Sequence, residues 1–121
     1  MEGFPGFVGM RASDAEDGRA RLELDAGEEH MNQAGAVHGG VLATLVDTAM
    51  GLAARSSSDD GDGAATSQLT VTYLTPARVG RLVATAQVRS RGEHLLVCDA
   101  DIEQDGRTVA HAVATFAVVH H

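Results

Sequence analysis

Residues 32–51 read NQAGAVHGGVLATLVDTAMG and contain the strongest helical signal in the chain. From 39 to 55, apolar side chains cover most of the circumference of a predicted helix. A helix that is apolar nearly all round is buried rather than lying on a surface. The apolar positions are Val41, Leu42, Leu45, Val46, Ala49, Met50, Leu52 and Ala53. The sequence therefore predicts one long helix at the centre of the fold.

The exceptions to this apolar pattern form a narrow polar stripe on the predicted helix. They are Gly40, Thr44, Asp47, Thr48 and Gly51, with spacings of 4, 3, 1 and 3 that keep them on one side. Burying a carboxylate without partners is unfavourable, so Asp47 needs hydrogen bonds or a chemical role. It could activate water as a general base, attack an acyl carbon as a nucleophile, or be a structural acid satisfied by a threonine or an arginine.

The rest of the chain reads mainly as β-strand. Alternation of apolar and polar residues indicates strands at 18–26, 69–74, 82–89, 95–102 and 108–119. Turn residues at 91–93 and 104–106 indicate hairpins, and hence an antiparallel sheet whose last four strands form a meander. We expect a loop at 27–38, a flexible loop at 56–65, and an N-terminal segment, 1–17, with a short helix or loop packed on the body. This is an α+β layer arrangement.

Length and composition limit the possible classes of protein. The chain has 121 residues, 44% hydrophobic and 21% charged, which fits a single globular domain, 1–121. A formal net charge of −8 argues against nucleic-acid binding, and the absence of lysine excludes Schiff-base chemistry. No apolar run approaches the ~20 residues of a membrane span, and no secretory signal is visible. The single cysteine, Cys98, is expected to be a core thiol in a reducing compartment, so we expect a cytoplasmic protein without a membrane partner.

The start of the predicted helix is a candidate oxyanion site. His38, Gly39 and Gly40 stand where a helix leaves backbone N–H groups unpaired and its dipole is positive. Glycines let a ligand approach such donors, which can stabilise negative charge on a carbonyl oxygen. The glycine pair could instead merely permit a tight turn, and His38 could shape the loop or serve as a base. Asn32 could donate to a carbonyl, hold a water molecule or cap a turn.

Gly39 and Asp47 are too far apart to act on one carbonyl within a single chain. They are eight residues apart, about 12 Å along a helix that rises ~1.5 Å per residue. If both act, they must come from different copies of the chain, and the site lies at a dimer interface.

Several weaker signals are more simply interpreted as structure. Thr66 and Ser67 could help to position water, or could make ordinary hydrogen bonds at the entry to a strand. Residues 59–63 faintly suggest a calcium loop but lack the later glutamate, so a solvated acidic loop is expected. His30 and His38 have no partners at zinc spacing, and no G-x-S-x-G segment occurs, so neither a metal site nor a serine triad is expected.

The segment at 32–51 resembles the hotdog-fold acyl-CoA thioesterases, and among them the phenylacetate-degradation (PaaI-like) group. TSQLTVTYLTPARVG at 66–80 and RSRGEHLLVCDADIEQDGRTVAHAVATF at 89–116 are similar to the same family, so the resemblance spans 18–119. It implies a hotdog fold, an antiparallel sheet of about five to six strands wrapped around one central helix. It also implies homodimers that often pair into tetramers, and hydrolysis of an acyl-CoA thioester without a metal or an organic cofactor.

Residue by residue, the resemblance implies a site divided between two chains. Gly39 matches the position whose N–H polarises the thioester carbonyl, with Asn32 and His38 beside it. Asp47 of the partner chain matches the catalytic carboxylate. Thr66 matches a position where a hydroxyl assists the water.

Other substrate contacts and two competing functions stay open from the sequence. The further candidate contacts are Gly40, Thr48 and Ser67, with Arg78, Arg89 and Arg91 as candidates for the CoA phosphates. Aryl-CoA and short- to medium-chain acyl-CoA both fit. A hotdog hydratase or dehydratase is disfavoured by the spacing between the glycine pair and Asp47. A non-catalytic acyl-CoA-binding or sensing module is the alternative from another functional class.

Overall fold

The computed structural model describes residues 1–58 and 61–120, in which six strands form one antiparallel sheet with a long helix packed against it. Along the chain the elements are α1 (Gly3–Val8), β1 (Arg11–Glu16), β2 (Arg19–Ala26), a 3-10 turn (Glu28–His30), α2 (Gly39–Ser56), β3 (Gly63–Tyr73), β4 (Gly80–Arg91), β5 (Leu95–Gln104) and β6 (Arg107–Val119). This confirms the predicted α+β class and the single long helix. Within the described residues, no helix is both long enough and apolar enough to span a membrane.

Small side chains on the sheet let α2 lie close to it. β6 buries Ala110, Ala112, Ala114 and Phe116, as its alternation predicts. The facing side of α2 buries Leu42, Leu45, Val46, Ala49, Met50, Gly51, Ala53 and Ala54. Close packing of these two surfaces fixes the start of α2 relative to the sheet.

The prediction that the helix is buried all round is wrong for the single chain. The sheet covers one side of α2, and on the other side Asp47 and Thr48 are half-buried and Gly40 is exposed. Val41 and Leu52 are also only half-buried. Because the sheet accounts for only part of the apolar circumference, the rest of it is free to meet a further surface.

The strand order, β1-β2-β4-β5-β6-β3, differs from the predicted meander of the last four strands. β4, β5 and β6 form sequential hairpins, but β3 pairs with β6 at the edge of the sheet rather than with β4. Residues 74–79, which include Pro76, carry the chain from β3 to β4 instead of making a tight hairpin turn. The end of β3 therefore comes close to the start of α2.

Two segments depart from their sequence predictions. Arg11–Glu16 forms the edge strand β1, and all six of its residues are exposed, so no apolar alternation marks it in the sequence. β3 begins at Gly63, inside the predicted 56–65 loop. Asp59 and Asp60 of the predicted acidic loop lie outside the described residues, as does His121.

Candidate active site

His38 caps the start of α2 with its own side chain. It is the N-cap residue, and its Nδ1 accepts a hydrogen bond from the Gly40 N–H at 2.8 Å. A neutral imidazole that accepts at Nδ1 carries its proton at Nε2. Because His38 is exposed, this Nε2–H is available as a hydrogen-bond donor. The lone pair on Nδ1 is already used by the Gly40 N–H, so the ring has no free nitrogen that could accept a proton from water.

The glycines at 39–40 leave room for the side chains packed against them. Neither has a positive φ, so neither is there for a special turn. A Cβ on Gly39 would lie 3.3 Å from the Tyr73 ring, and a Cβ on Gly40 would lie 3.0 Å from His38 Nδ1. The pair therefore admits two side-chain rings against the first turn of α2. Gly40 contributes this space but not a donor, because its N–H is already bonded to His38.

The Gly39 N–H is a donor without a partner among the described residues. The carbonyl of the same peptide unit, that of His38, accepts from the Val41 N–H at 2.9 Å and from the Leu42 N–H at 3.4 Å. These bonds polarise the peptide and strengthen its N–H as a donor. The helix start can therefore stabilise an oxygen that becomes negatively charged beside Gly39.

Asn32 orders the loop that leads into α2. Its Oδ1 accepts from the N–H groups of Ala34 at 2.9 Å and Ala36 at 3.1 Å, and its backbone N–H donates to the Ala36 carbonyl at 2.7 Å. This is the turn-capping arrangement considered from the sequence. The Asn32 Nδ2 has no partner in the described part of the chain, and the residue also lines the groove described next, so its amide is available as a donor.

Gly39 lines an open groove of about 310 Å³. The lining residues of the groove are Asn32, Ala36, Val37, Gly39, Leu42, Tyr73, Leu74, Thr75, Pro76 and Ala77. Thr75 and Pro76 also line a neighbouring hollow of about 210 Å³, which contains Arg78 and Arg107. A mainly apolar groove with a few polar groups is the usual form of a small-molecule site.

Asp47 and Thr66 form a second centre on the polar stripe of α2. Thr66 Oγ1 donates to Asp47 Oδ1 at 2.6 Å across the gap between β3 and α2. Because α2 is unbroken from Gly39 to Ser56, Asp47 lies about 12 Å along the axis from Gly39. Within one chain, the Gly39 N–H and the Asp47 carboxylate are therefore too far apart to reach the same carbonyl.

Two further predicted contacts have simple placements. Thr48 lies next to Asp47 on α2 and is half-buried. The Ser67 hydroxyl is hydrogen-bonded to the Thr115 side chain at 2.7 Å and to the Thr115 carbonyl at 3.1 Å, where the β3–β6 register shifts. Ser67 therefore has a structural partner in β6.

The two arginines of β4 are not close to the groove within one chain. Arg89 Nε donates to Asp99 at 2.7 Å. Arg91 donates to the Ser57 hydroxyl at 2.6 Å, at the end of α2 opposite to Gly39. Neither residue lines the groove. Of the three candidate arginines, Arg78 is the one that the structure places beside it.

Cys98 is buried in β5, in agreement with the expected core thiol. Burial, with a smaller contribution from the neighbouring carboxylate of Asp99, raises the pKa of the thiol to about 11. A thiol in this state is a poor nucleophile at neutral pH.

Sequence reasoning missed two residues near the groove, Tyr73 and Arg107. The Tyr73 hydroxyl donates to the Gly39 carbonyl at 2.9 Å across 34 residues of sequence. Arg107 starts β6 and shares a hollow with Arg78. Both contacts depend on β3 lying beside β6 and ending near α2, which the predicted meander did not contain.

Residues 34–111 match the model of the thioesterase superfamily. The chain belongs to the thioesterase superfamily. The matched range contains the glycine pair, Asp47, Thr66 and Tyr73. The Gly39 N–H and the Asp47–Thr66 pair of this thioesterase therefore both lie within the segment that the family model matches.

Two relatives found by sequence and two solved structures agree with this assignment. A Halobacterium salinarum protein is 42% identical over 105 residues, which cover 83% of this thioesterase and 69% of that protein. The acyl-coenzyme A thioesterase PaaI of Escherichia coli is 34% identical over 105 residues, covering 85% and 73% of the two chains. The solved E. coli PaaI protein has a TM-score of 0.89 at 30% identity, covering 96% and 83%. A hypothetical thioesterase protein from Streptococcus pneumoniae, solved with coenzyme A, has a TM-score of 0.85 at 29% identity, covering 93% and 90%. The protein is thus a PaaI-like thioester hydrolase with the hotdog fold.

Proposed function

We propose that this thioesterase hydrolyses an acyl-CoA thioester to the free acid and CoA, with the Gly39 N–H as the oxyanion donor. The observation that carries the proposal is the unpartnered N–H of Gly39, which belongs to a polarised peptide, in a residue that lines a mainly apolar groove. The thioester carbonyl would accept from this N–H. Asn32, which lines the groove, offers its Nδ2 as a further donor, and His38, which shares a second hollow with Asn32, offers its Nε2–H.

The carboxylate in this proposal is Asp47 of the partner subunit. Within one chain Asp47 is about 12 Å from Gly39, whereas two copies related by a two-fold axis can place each Asp47 opposite the other copy's Gly39. Thr66 holds Asp47 Oδ1 and leaves Oδ2 for the reaction. Asp47 either removes a proton from the attacking water or attacks the acyl carbon itself, forming an anhydride that water then cleaves. In both routes the CoA thiolate leaves.

Edge strand β3 is the proposed dimer contact. The sheet has its edges at β1 and β3, and charged side chains on an edge oppose pairing with another strand. β1 carries Arg11, Asp14 and Glu16, whereas β3 has no charged residue from Gly63 to Tyr73. Pairing through β3 would also cover the exposed Thr66 and the half-buried side of α2. Further pairing of dimers into tetramers is part of the same proposal.

The groove and its neighbouring hollow suggest where the two ends of the substrate bind. The groove of about 310 Å³ has room for an aryl or a short- to medium-chain acyl group with part of the pantetheine arm. Arg78 and Arg107 in the adjoining hollow are suited to the CoA phosphates, since guanidinium groups bind phosphate in a bidentate manner. Support for CoA as the carrier comes from the S. pneumoniae relative solved with coenzyme A.

The proposal is tested by measuring free thiol released from a panel of aryl- and alkyl-CoA esters, at low and high salt. We expect turnover by the wild type and loss of turnover in Asp47→Asn, which keeps the shape of the side chain. Asp101→Asn is the control, because Asp101 is an exposed acid that hydrogen-bonds His111 and does not line the groove. A folded dimer that binds acyl-CoA but releases no thiol would support the sensing module instead. A product that retains the thioester would support a hydratase.

A further inference from the structure

Tyr73 makes a contact with the start of α2 that the proposed reaction does not use. Its hydroxyl donates to the Gly39 carbonyl at 2.9 Å, and its ring lies 3.3 Å from where a Gly39 Cβ would be. Because Tyr73 is the last residue of β3, this contact ties the edge strand to the first residue of the helix.

The contact continues through one peptide unit to His38. The Gly39 carbonyl and the Gly40 N–H belong to the same trans peptide, so they point in opposite directions. Tyr73 donates to the carbonyl at 2.9 Å, and the N–H donates to His38 Nδ1 at 2.8 Å. Hydrogen bonds connected in this way polarise and strengthen one another.

Burial does not explain the hydrogen bond made by the Tyr73 hydroxyl. Tyr73 is 53% exposed in the chain, and an exposed phenol can hydrogen-bond to water, whereas a buried one requires a protein partner. A residue that serves only as a wall of the groove needs the ring and not the hydroxyl. The hydroxyl nevertheless donates to the carbonyl of Gly39, the residue whose N–H is the proposed oxyanion donor.

We propose that Tyr73 is a positioning residue, which acts through the Gly39–Gly40 peptide to hold His38 and the Gly39 N–H in their orientations. Its effect on turnover rests on the proposed function, while the chain of hydrogen bonds does not. The donors act on charge that develops in the transition state, so their misalignment lowers kcat more than it raises KM. Tyr73→Phe is expected to lower kcat about three- to tenfold, the range that corresponds to one hydrogen bond, with KM changed less than about twofold.

The test combines kinetics with the amide resonance of Gly40. In protein labelled with ¹⁵N-glycine, Gly40 is assigned by the signal lost in Gly40→Ala. Tyr73→Phe is expected to move the Gly40 amide proton upfield, toward a weaker hydrogen bond, in the absence of substrate. Thr85→Val is the matched control, because it removes a hydroxyl from an exposed position of β4, away from the groove and from edge strand β3, and should leave both the resonance and kcat unchanged.

The proposal requires both changes in Tyr73→Phe. Wild-type kcat in this variant overturns it. An unmoved Gly40 resonance also overturns it, and a rise in KM alone would then assign Tyr73 to the groove wall. Full turnover by Asp47→Asn would instead contradict the proposed function, whatever the Gly40 resonance shows, so the two failures are distinguishable.

Discussion

Replacing Gly39 with proline removes the N–H on which the proposed oxyanion site depends, and the fold is expected to accept the change. Gly39 is the first residue of α2, the position where proline is tolerated because the N–H has no helical acceptor. His38 before it has φ −57° and ψ 134°, a conformation that a residue preceding proline adopts readily. The described residues give the Gly39 N–H no partner that the substitution would break.

Gly39→Ala is the matched control for this substitution. Both variants place a Cβ 3.3 Å from the Tyr73 ring, but only proline lacks the N–H. Since Tyr73 is 53% exposed, its ring can move by the few tenths of an ångström that the methyl group needs. The alanine variant should therefore keep most of its activity.

The expected difference between the two variants is large. Loss of one oxyanion donor typically lowers kcat by about 10²–10³-fold, or ~2.7–4 kcal/mol of transition-state stabilisation. Steady-state thiol release should show kcat of Gly39→Ala exceeding that of Gly39→Pro by about 100-fold or more, with similar KM values. Circular dichroism and thermal melting check that both variants are folded. Two folded variants whose kcat values agree within about threefold would refute the role of this N–H.

Three other substitutions test separate parts of the account. Thr66→Val removes the hydroxyl that donates to Asp47. A hydrogen bond to a charged group contributes ~1.5–3 kcal/mol, so kcat should fall at least about tenfold, whereas Thr66→Ser, which keeps a hydroxyl, should restore it. Equal kcat values in the wild type and both variants would contradict the role of Thr66. Arg78→Ala and Arg107→Ala should each raise KM for an acyl-CoA several-fold at low salt, but not KM for the matching acyl-pantetheine. Arg89→Ala is the control, because its guanidinium is paired with Asp99, and it should change neither KM. An equal rise of the acyl-CoA KM in all three variants would argue for a general charge effect. Because burial raises the pKa of Cys98 to about 11, its thiol stays protonated at neutral pH. A disulfide reagent at pH 8 should therefore label Cys98 only when the protein unfolds, and Cys98→Ala should retain kcat. Rapid labelling of the native protein would contradict this.

The long helix and most of its polar stripe are predictable because they depend on local periodicity; the prediction was wrong for Gly51, which is buried. A pattern over 39–55 is enough to identify α2, and the start at Gly39 agrees with the structure. Five strands, β2 to β6, were placed for the same reason, since apolar and polar residues alternate along them. β1 could not be recognised, because all six of its side chains are exposed and nothing in their order marks a strand.

The pairing of β3 with β6 is a property of the whole chain rather than of any segment. No local pattern distinguishes a strand that pairs with the next strand from one that crosses to the far side of a hairpin. The contacts that depend on this crossing, Tyr73 with Gly39 and Arg107 beside Arg78, were missed for that reason. The resemblance of 32–51 to known thioesterases supplied the pairing of Gly39 with a carboxylate, whereas the close approach of the Tyr73 and His38 rings to residues 39 and 40 is visible only in the structure.

Mixed dimers test most directly whether the active site is shared between two copies of the chain. Gly39→Pro and Asp47→Asn, each expected to be inactive alone, are unfolded together, refolded and isolated as the heterodimer by means of different affinity tags. In a shared site, one of the two sites in that heterodimer combines an intact Gly39 with an intact Asp47, so it should show about half the wild-type rate per dimer. An inactive heterodimer that is folded and stable would contradict the account, because it would mean that each chain must supply both groups itself.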